Sequence, residues 1–191
     1  MSRSLQLFAA MALLSFNTHA VSADETTHVC ERHIISAAHK HGVPVALLYA
    51  VGQTESGRGG RLHPFALNSH GRTFFPKNSS EADRIIMREQ RDGRYLIDVG
   101  CMQINLHYHQ SAFPSLDAMF DPGRNVDYAA KFLKRLKSRH GSWTVAVARY
   151  HAGAKNHSAQ KNYVCKVLRK MIEMGAATHT KPSNNLCNSM L

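Results

Sequence analysis

The chain has 191 residues, of which 43% are hydrophobic and 19% are charged. This length predicts one domain, with room for a targeting segment and a tail. The hydrophobic fraction is large enough for a packed core, which excludes a wholly disordered chain. The 24 lysines and arginines outnumber the 13 aspartates and glutamates, giving a net charge of +11. This excess favours an anionic partner, such as nucleic acid, a membrane surface or an acidic cell-wall polymer, without choosing among them.

The first 23 residues have the layout of a secretory signal peptide. Arg3 supplies a positive start, residues 5–14 form an apolar run broken only by Gln6, and small residues follow up to Ala23, with Ala20 as a second possible cleavage site. An apolar run of about ten residues is too short for a membrane-spanning helix, which needs roughly twenty. We therefore expect residues 1–23 to be removed and the protein to be periplasmic or secreted.

The four cysteines all follow the predicted cleavage site. They are Cys30, Cys101, Cys165 and Cys187. In an oxidising compartment an even number of cysteines predicts two disulfides, and four cysteines allow three connectivities. A buried free thiol at Cys101 is the alternative.

Helical patterns follow one another along the rest of the chain. The predicted helices cover residues 27–41, 44–57, 80–92, 122–141, 142–150 and 158–174. Pro44 fits the first turn of its helix, and Gly42 and Gly141 are typical of helix ends. Residues 176–191 are predicted as a polar tail that Cys187 could hold to the domain.

The region after the second helix is predicted as an irregular insert. Short strands are predicted at residues 72–75 and 95–99, on either side of a helix with a capping motif at Ser80-x-x-Asp83. A further helix is predicted to begin near Gly100 and to carry the apolar and polar residues that follow, Met102, Gln103 and Ile104.

Glu55 is the candidate catalytic residue. It is predicted to lie in the last turn of an apolar helix, where the partial negative charge of the helix end disfavours an ionised carboxylate. A carboxylic acid that keeps its proton near neutral pH is suited to glycosidic bond cleavage, because the leaving oxygen must receive a proton. Taken alone, this position is more typical of a solvated surface charge.

Three motifs in chain order carry a family resemblance. They are Glu55-Ser56-Gly57, Gly100-Cys101-Met102-Gln103-Ile104-Asn105 and Ala148-Arg149-Tyr150-His151-Ala152-Gly153. Together they resemble the signature motifs of the lytic transglycosylases of the soluble, lysozyme-like superfamily, which read roughly E-S-G/A, G-L-M-Q-I-N and A-Y-N-A-G. The resemblance extends from about Cys30 to Met174 and includes Asn162-Tyr163 at the start of the last helix.

The resemblance implies a fold class and a domain organisation. The expected fold is mainly α, a single lysozyme-like (goose-type lysozyme or SLT) domain with a small loop or β-hairpin insert. We expect a signal peptide at residues 1–23, the catalytic domain at 24–175 and the polar tail at 176–191.

The resemblance also implies roles for individual residues. Glu55 would be the catalytic glutamate, and Tyr150 would lie near it and help to hold it. The predicted substrate-binding residues are Ser56, Met102, Gln103, Asn105 and Tyr150. Ser56 would contact an acetamido group or steady the catalytic loop, and Gln103 would lie within hydrogen-bond reach of the glycan. Core packing is the alternative for Met102 and Tyr150.

The sequence departs from the family pattern at three places. Cys101 replaces the usual leucine, His151 replaces the usual asparagine, and the insert at residues 56–99 is longer than expected. Three residues of the insert are candidates for contacts with sugars or peptide stems, Arg72, Phe74 and Phe75. The alternative, which we favour, is a structural hairpin that covers the core.

The resemblance implies a mechanism with one carboxylate. Glu55 would protonate the glycosidic oxygen and then accept the proton of the C6 hydroxyl of N-acetylmuramic acid, which would form a 1,6-anhydro end without water. Asp98 is the alternative partner. If Asp98 positioned a water molecule opposite Glu55, the enzyme would be a hydrolytic muramidase, whereas the alternative for Asp98 is a cap on the helix predicted near Gly100.

We expect the protein to be a monomer that binds peptidoglycan glycan strands and needs no metal and no cofactor. The pairs His39/His41 and His107/His109 lack a third ligand at metal-site spacing. Nucleic acid is not expected, because no recognised binding motif accompanies the charge. The small size favours local wall clearing for an envelope-spanning secretion, pilus or flagellar machine. A non-catalytic wall-binding accessory protein of such a machine is the alternative from another class.

Overall fold

A computed structural model describes residues 28–153 and 155–187, and the predicted signal peptide lies outside these residues. The described chain is mostly helical and carries one small antiparallel sheet, as the expected fold class requires. None of its helices is long and apolar enough to cross a membrane.

The six larger helices correspond to six predicted helices, and the described chain carries further short elements that were not predicted. The larger helices are α1 (Val29–His41), α2 (Val45–Ser56), α3 (Ser79–Arg91), α6 (Pro122–His140), α7 (Trp143–Ala152) and α8 (His157–Glu173). Short helices occur at α4 (Leu106–His109), α5 (Leu116–Phe120) and α9 (Lys181–Cys187), with a 3₁₀ turn at Gln110–Ala112. The strands are β1 (Leu67–Ser69), β2 (Arg72–Phe74), β3 (Ile97–Val99) and β4 (Ile104–Asn105).

The local signals at the helix ends explain several of these boundaries. Gly42 and Gly141 end α1 and α6 in the left-handed conformation, with φ of 63° and 74°. At the start of α6, the side chain of Asp121 accepts a hydrogen bond from the Arg124 N–H, ahead of Pro122. The cap of α3 lies two residues before the predicted one: Asn78, not Ser80, accepts a hydrogen bond from the Glu81 N–H.

The helices enclose one core. Helix α1 packs on α6, and α8 packs on both α7 and α2. The largest fully buried side chains include Ile34, Leu48 and Leu133, one from each of α1, α2 and α6. Helix α2 therefore lies in the interior, which places its last turn, and Glu55 with it, beside α8.

The sheet has the strand order β2-β1-β3-β4, with every neighbouring pair antiparallel. Asn68 pairs with Asp98 across β1 and β3, and Asp98 pairs with Asn105 across β3 and β4. These three polar residues form one row across the sheet, because paired residues of neighbouring strands point to the same face.

The helix predicted near Gly100 is wrong. Residues 100–103 form a turn, and residues 104–105 form strand β4. The turn contains positive φ angles at Gly100 (80°) and Gln103 (48°), which a helix does not allow. Its long-range partner is Asn125, whose side chain accepts a hydrogen bond from the Met102 N–H and donates to the carbonyl of Val99.

Two disulfides link Cys30 to Cys101 and Cys165 to Cys187. The prediction of two disulfides is confirmed, and Cys101 is not a free thiol. The second disulfide holds helix α9, within the predicted polar tail, against α8.

The insert is built around a buried charge. Glu89 of α3 is fully buried and accepts hydrogen bonds from the guanidinium groups of Arg94 (Nε, 2.6 Å) and Arg72. These bonds hold the pKa of Glu89 down at about 2 against the opposing effect of burial. The guanidinium of Arg72 also lies 5.7 Å from the ring centroid of Phe74. Phe75 packs against Arg58.

Candidate active site

A cavity of about 620 Å³ lies between the end of α2, the sheet and helix α7. The residues that line it include six with polar side chains: Glu55, Asp98, Gln103, Asn105, Tyr150 and His151. The three motifs, which are far apart in the sequence, therefore meet at one cavity. Arg72, Phe74 and Phe75 do not line it, which agrees with a structural hairpin rather than a substrate contact.

Glu55 lines this cavity, with 11% of its side chain exposed. Its Oε1 accepts a hydrogen bond of 2.6 Å from the hydroxyl of Tyr163. The Nδ1 atom of His151 lies 3.7 Å from the same oxygen. Among the described residues, both polar contacts of the carboxyl group thus fall on Oε1, and Oε2 is the oxygen left for proton exchange with a bound molecule.

Tyr150 does not hold Glu55 directly. Its hydroxyl donates a hydrogen bond of 2.7 Å to the main-chain carbonyl of Met102, so that it fixes the turn of the second motif to helix α7. Burial, together with the charges of Glu55 and Asp98, raises the pKa of Tyr150 well above its ordinary value. The residue that holds the carboxyl group is Tyr163 of α8. The sequence indicates Tyr163 only because the family resemblance includes Asn162-Tyr163 at the start of the last helix.

Asp98 lines the same cavity from strand β3. Burial raises its pKa to about 6, the charge of Glu55 adds to the rise, and a hydrogen bond from Asn105 Nδ2 (2.7 Å) opposes it. The cavity therefore holds a second carboxyl group beside that of Glu55, and burial favours the protonated form of Asp98. Asp98 caps no helix at Gly100, since no helix begins there.

The turn of residues 100–103 places Gln103 at the wall of the cavity. Its Nε2 donates hydrogen bonds to the carbonyls of Ala66 (2.9 Å) and Gly100 (3.0 Å). A Cβ atom at Gly100 would lie 2.5 Å from Asn125 Nδ2, closer than contacting atoms can approach. Glycine is thus required at this position both by its positive φ and by the close approach of the Asn125 amide.

Asn105 lines the cavity and also supports its neighbours. In addition to its bond to Asp98, its Oδ1 accepts a hydrogen bond from the Tyr108 N–H and so caps helix α4.

Two predicted substrate-binding residues lie behind the cavity wall. The side chain of Met102 is fully buried in the core, beside Gly52. Ser56 is also buried, and its hydroxyl donates a hydrogen bond of 2.6 Å to the carbonyl of Cys101. Of the two roles stated for Ser56, this bond matches the steadying of the loop rather than a sugar contact. Met102 matches its core-packing alternative.

The histidine pairs take part in other contacts. His41 Nε2 lies 2.9 Å from Asp127, and His109 Nδ1 lies 2.9 Å from the Tyr128 hydroxyl. Within residues 28–153 and 155–187, no three potential ligands lie close enough together to hold a metal ion.

A mostly helical domain with a small antiparallel sheet agrees with the lysozyme-like fold that the sequence predicts. Residues 32–172 match the Transglycosylase SLT domain family. The chain therefore belongs to this family, whose substrate is peptidoglycan, outside the cytoplasm. Comparisons with curated proteins and with solved structures found no match.

Proposed function

We propose that this chain is a peptidoglycan lytic transglycosylase that cleaves the β-1,4 bond between N-acetylmuramic acid and N-acetylglucosamine, with Glu55 as its single acid–base residue. The observation that carries the proposal is the carboxyl group of Glu55. One oxygen is held by Tyr163 at 2.6 Å, whereas the other is left for the substrate in a cavity of about 620 Å³.

The reaction follows from one group that first gives and then takes a proton. Oε2 of Glu55 gives its proton to the glycosidic oxygen as the bond from that oxygen to C1 of N-acetylmuramic acid breaks. The C6 hydroxyl oxygen of the same sugar then bonds to C1, and its proton returns to Glu55. The products are a free hydroxyl on the leaving sugar and a 1,6-anhydro end, and no water is consumed.

Asp98 supports a second candidate, a hydrolytic muramidase. It lines the same cavity as Glu55, and the charge of Glu55 adds to the rise in the pKa of Asp98. Glycosidases that use water commonly employ two carboxyl groups, one as acid and one that activates the water. In that case Asp98→Asn would abolish turnover, whereas in a lytic transglycosylase it would lower turnover only modestly.

The test compares Glu55→Gln with the wild type on purified peptidoglycan. Glutamine keeps the size of the side chain but cannot transfer the proton, so turnover should fall by about 10²–10⁴-fold, the usual contribution of acid–base catalysis. Glu173→Gln is the matched control, because Glu173 is exposed on α8 and pairs only with Lys170 among the described residues. It should keep wild-type turnover.

Mass spectrometry of the wild-type products distinguishes the two reactions. Lytic products end in 1,6-anhydro-N-acetylmuramic acid and are lighter by one water than reducing ends. Reducing ends would establish the muramidase and the role of Asp98. Full turnover by Glu55→Gln would overturn the role of Glu55, and absence of turnover in the wild type, with binding retained, would favour the wall-binding accessory protein.

We also propose that residues 1–23 are a cleaved export signal and that the protein acts in the periplasm or outside the cell. The two disulfides support an oxidising compartment. N-terminal sequencing of protein from the envelope fraction should begin after Ala23 or Ala20, and an intact Met1 would contradict the proposal.

A further inference from the structure

His151 occupies the position where the family motif has asparagine, and its ring is placed against the proposed catalytic carboxyl group. Its Nδ1 atom lies 3.7 Å from Oε1 of Glu55. Its ring is parallel to that of Tyr163, with centroids 4.3 Å apart and an interplanar angle of 3°. The imidazole, the phenol and the carboxyl group therefore form one contiguous unit, drawn from α7, α8 and α2.

The neighbours of His151 favour its charged form. Glu55 faces it from α2 and Asp98 from β3, while Lys166 on α8 opposes them. His151 is also the penultimate residue of α7, where the carbonyl ends of the helix favour a cation. Contact with Glu55 is the main cause that raises the pKa of His151 above its ordinary 6.5, with burial opposing it and Asp98 adding to the rise.

We propose that His151 is a charge-setting residue of the active site, which as an imidazolium stacked on Tyr163 stabilises the ionised form of Glu55 and thereby makes the acid–base step sensitive to pH. The inference rests on the proposed role of Glu55. Asparagine could not act in this way, because its side chain carries no charge at any pH. His151 acts through Glu55, so it is a positioning residue and not the acid itself.

The direction of the pH effect follows from the charge. A cation close to a carboxyl group favours loss of its proton. While His151 is protonated, its positive charge lies 3.7 Å from Oε1 of Glu55 and attracts the carboxylate, an interaction that asparagine cannot provide. When pH rises through the titration of His151, the imidazole becomes neutral and this influence disappears.

The first test is the pH dependence of kcat/KM, whose alkaline limb reports loss of the proton from the essential acid of the free enzyme. In His151→Asn this limb should move to higher pH, whereas in His151→Lys, which keeps a cation, it should stay close to the wild-type position. His39→Asn, a change of an exposed histidine on α1, is the control and should leave the limb in place. A purely structural role would lower kcat/KM by the same factor at every pH, and that result would overturn the proposal.

The second test does not depend on activity. The imidazole resonances of His151, followed by NMR in labelled wild type and in Glu55→Gln, give its titration midpoint directly. The midpoint should fall in Glu55→Gln, because the main cause of its elevation is removed, and an unchanged midpoint would overturn the proposal. Full activity of Glu55→Gln would show that the proposed function is wrong. A fall in the titration midpoint of His151 in the same variant would still show the contact between His151 and Glu55. The failure of one proposal can therefore be told apart from the failure of the other.

Discussion

The two disulfides offer a matched pair of perturbations. Cys30–Cys101 joins residues that are 71 positions apart, and Cys165–Cys187 joins residues only 22 positions apart. All four cysteines are fully buried, so that double substitution by alanine removes similar contacts in each case. The remaining difference between the two double variants is the length of chain that each cross-link closes.

The size of the effect follows from the entropy of the unfolded chain. A cross-link lowers this entropy by an amount that grows with the logarithm of the loop length. At 25 °C, the loop of 71 residues corresponds to about 4 kcal/mol of stability and the loop of 22 residues to about 3 kcal/mol. Cys30→Ala/Cys101→Ala should therefore lower the free energy of unfolding by about 1 kcal/mol more than Cys165→Ala/Cys187→Ala.

The assay is equilibrium unfolding in urea, followed by the fluorescence of Trp143. This residue is the single tryptophan of the chain and packs against the core. Thiol titration of the unfolded, unreduced wild type should detect no free thiol. Equal losses in the two double variants, or a larger loss for the C-terminal pair, would refute the reasoning from loop length.

Three further predictions concern individual residues. Tyr163→Phe keeps the ring that stacks on His151 but removes the hydrogen bond to Glu55. The value of kcat/KM should therefore fall by about tenfold, the equivalent of about 1.4 kcal/mol. Wild-type kinetics in this variant would contradict the role of the hydroxyl. Asn125→Ala removes a hydrogen-bond partner from the Met102 N–H and from two main-chain carbonyls and should cost about 3 kcal/mol in urea unfolding. The folded-state pKa of Glu89, about 2, lies below its ordinary value of 4.5, so its ion pairs stabilise the protein above pH 4.5 and lose this effect as pH falls towards 2. The difference in unfolding free energy between the wild type and Glu89→Gln should therefore shrink over that range, and a difference independent of pH would contradict this account.

The helices were predictable because their signals are local. Glycine at positions 42 and 141 ends α1 and α6, and Asp121 caps α6 from the adjacent residue in the chain. Such signals involve neighbours in the sequence and do not depend on the rest of the fold. Strand β1 (Leu67–Ser69) was missed because three residues are too few to show an alternating pattern.

The turn of residues 100–103 and the contacts of Glu55 could not be predicted from the residues next to them in the sequence. The turn depends on a hydrogen bond from Met102 N–H to Asn125, 23 positions away, and its apolar and polar residues fit a helical pattern equally well. Glu55 and Tyr163 are 108 positions apart. Composition and periodicity do not encode such contacts, and it is Tyr163, not Tyr150, whose hydroxyl donates a hydrogen bond to Glu55.

The connectivity of the disulfides has a consequence for oxidative folding. The two bridges follow one another along the chain without crossing, since Cys101 precedes Cys165. Because synthesis proceeds from the N-terminus, Cys30 and Cys101 are both made before either of the later cysteines. Pairing each cysteine with the next one in the sequence therefore gives the native bridges, and neither closed loop has to thread through the other.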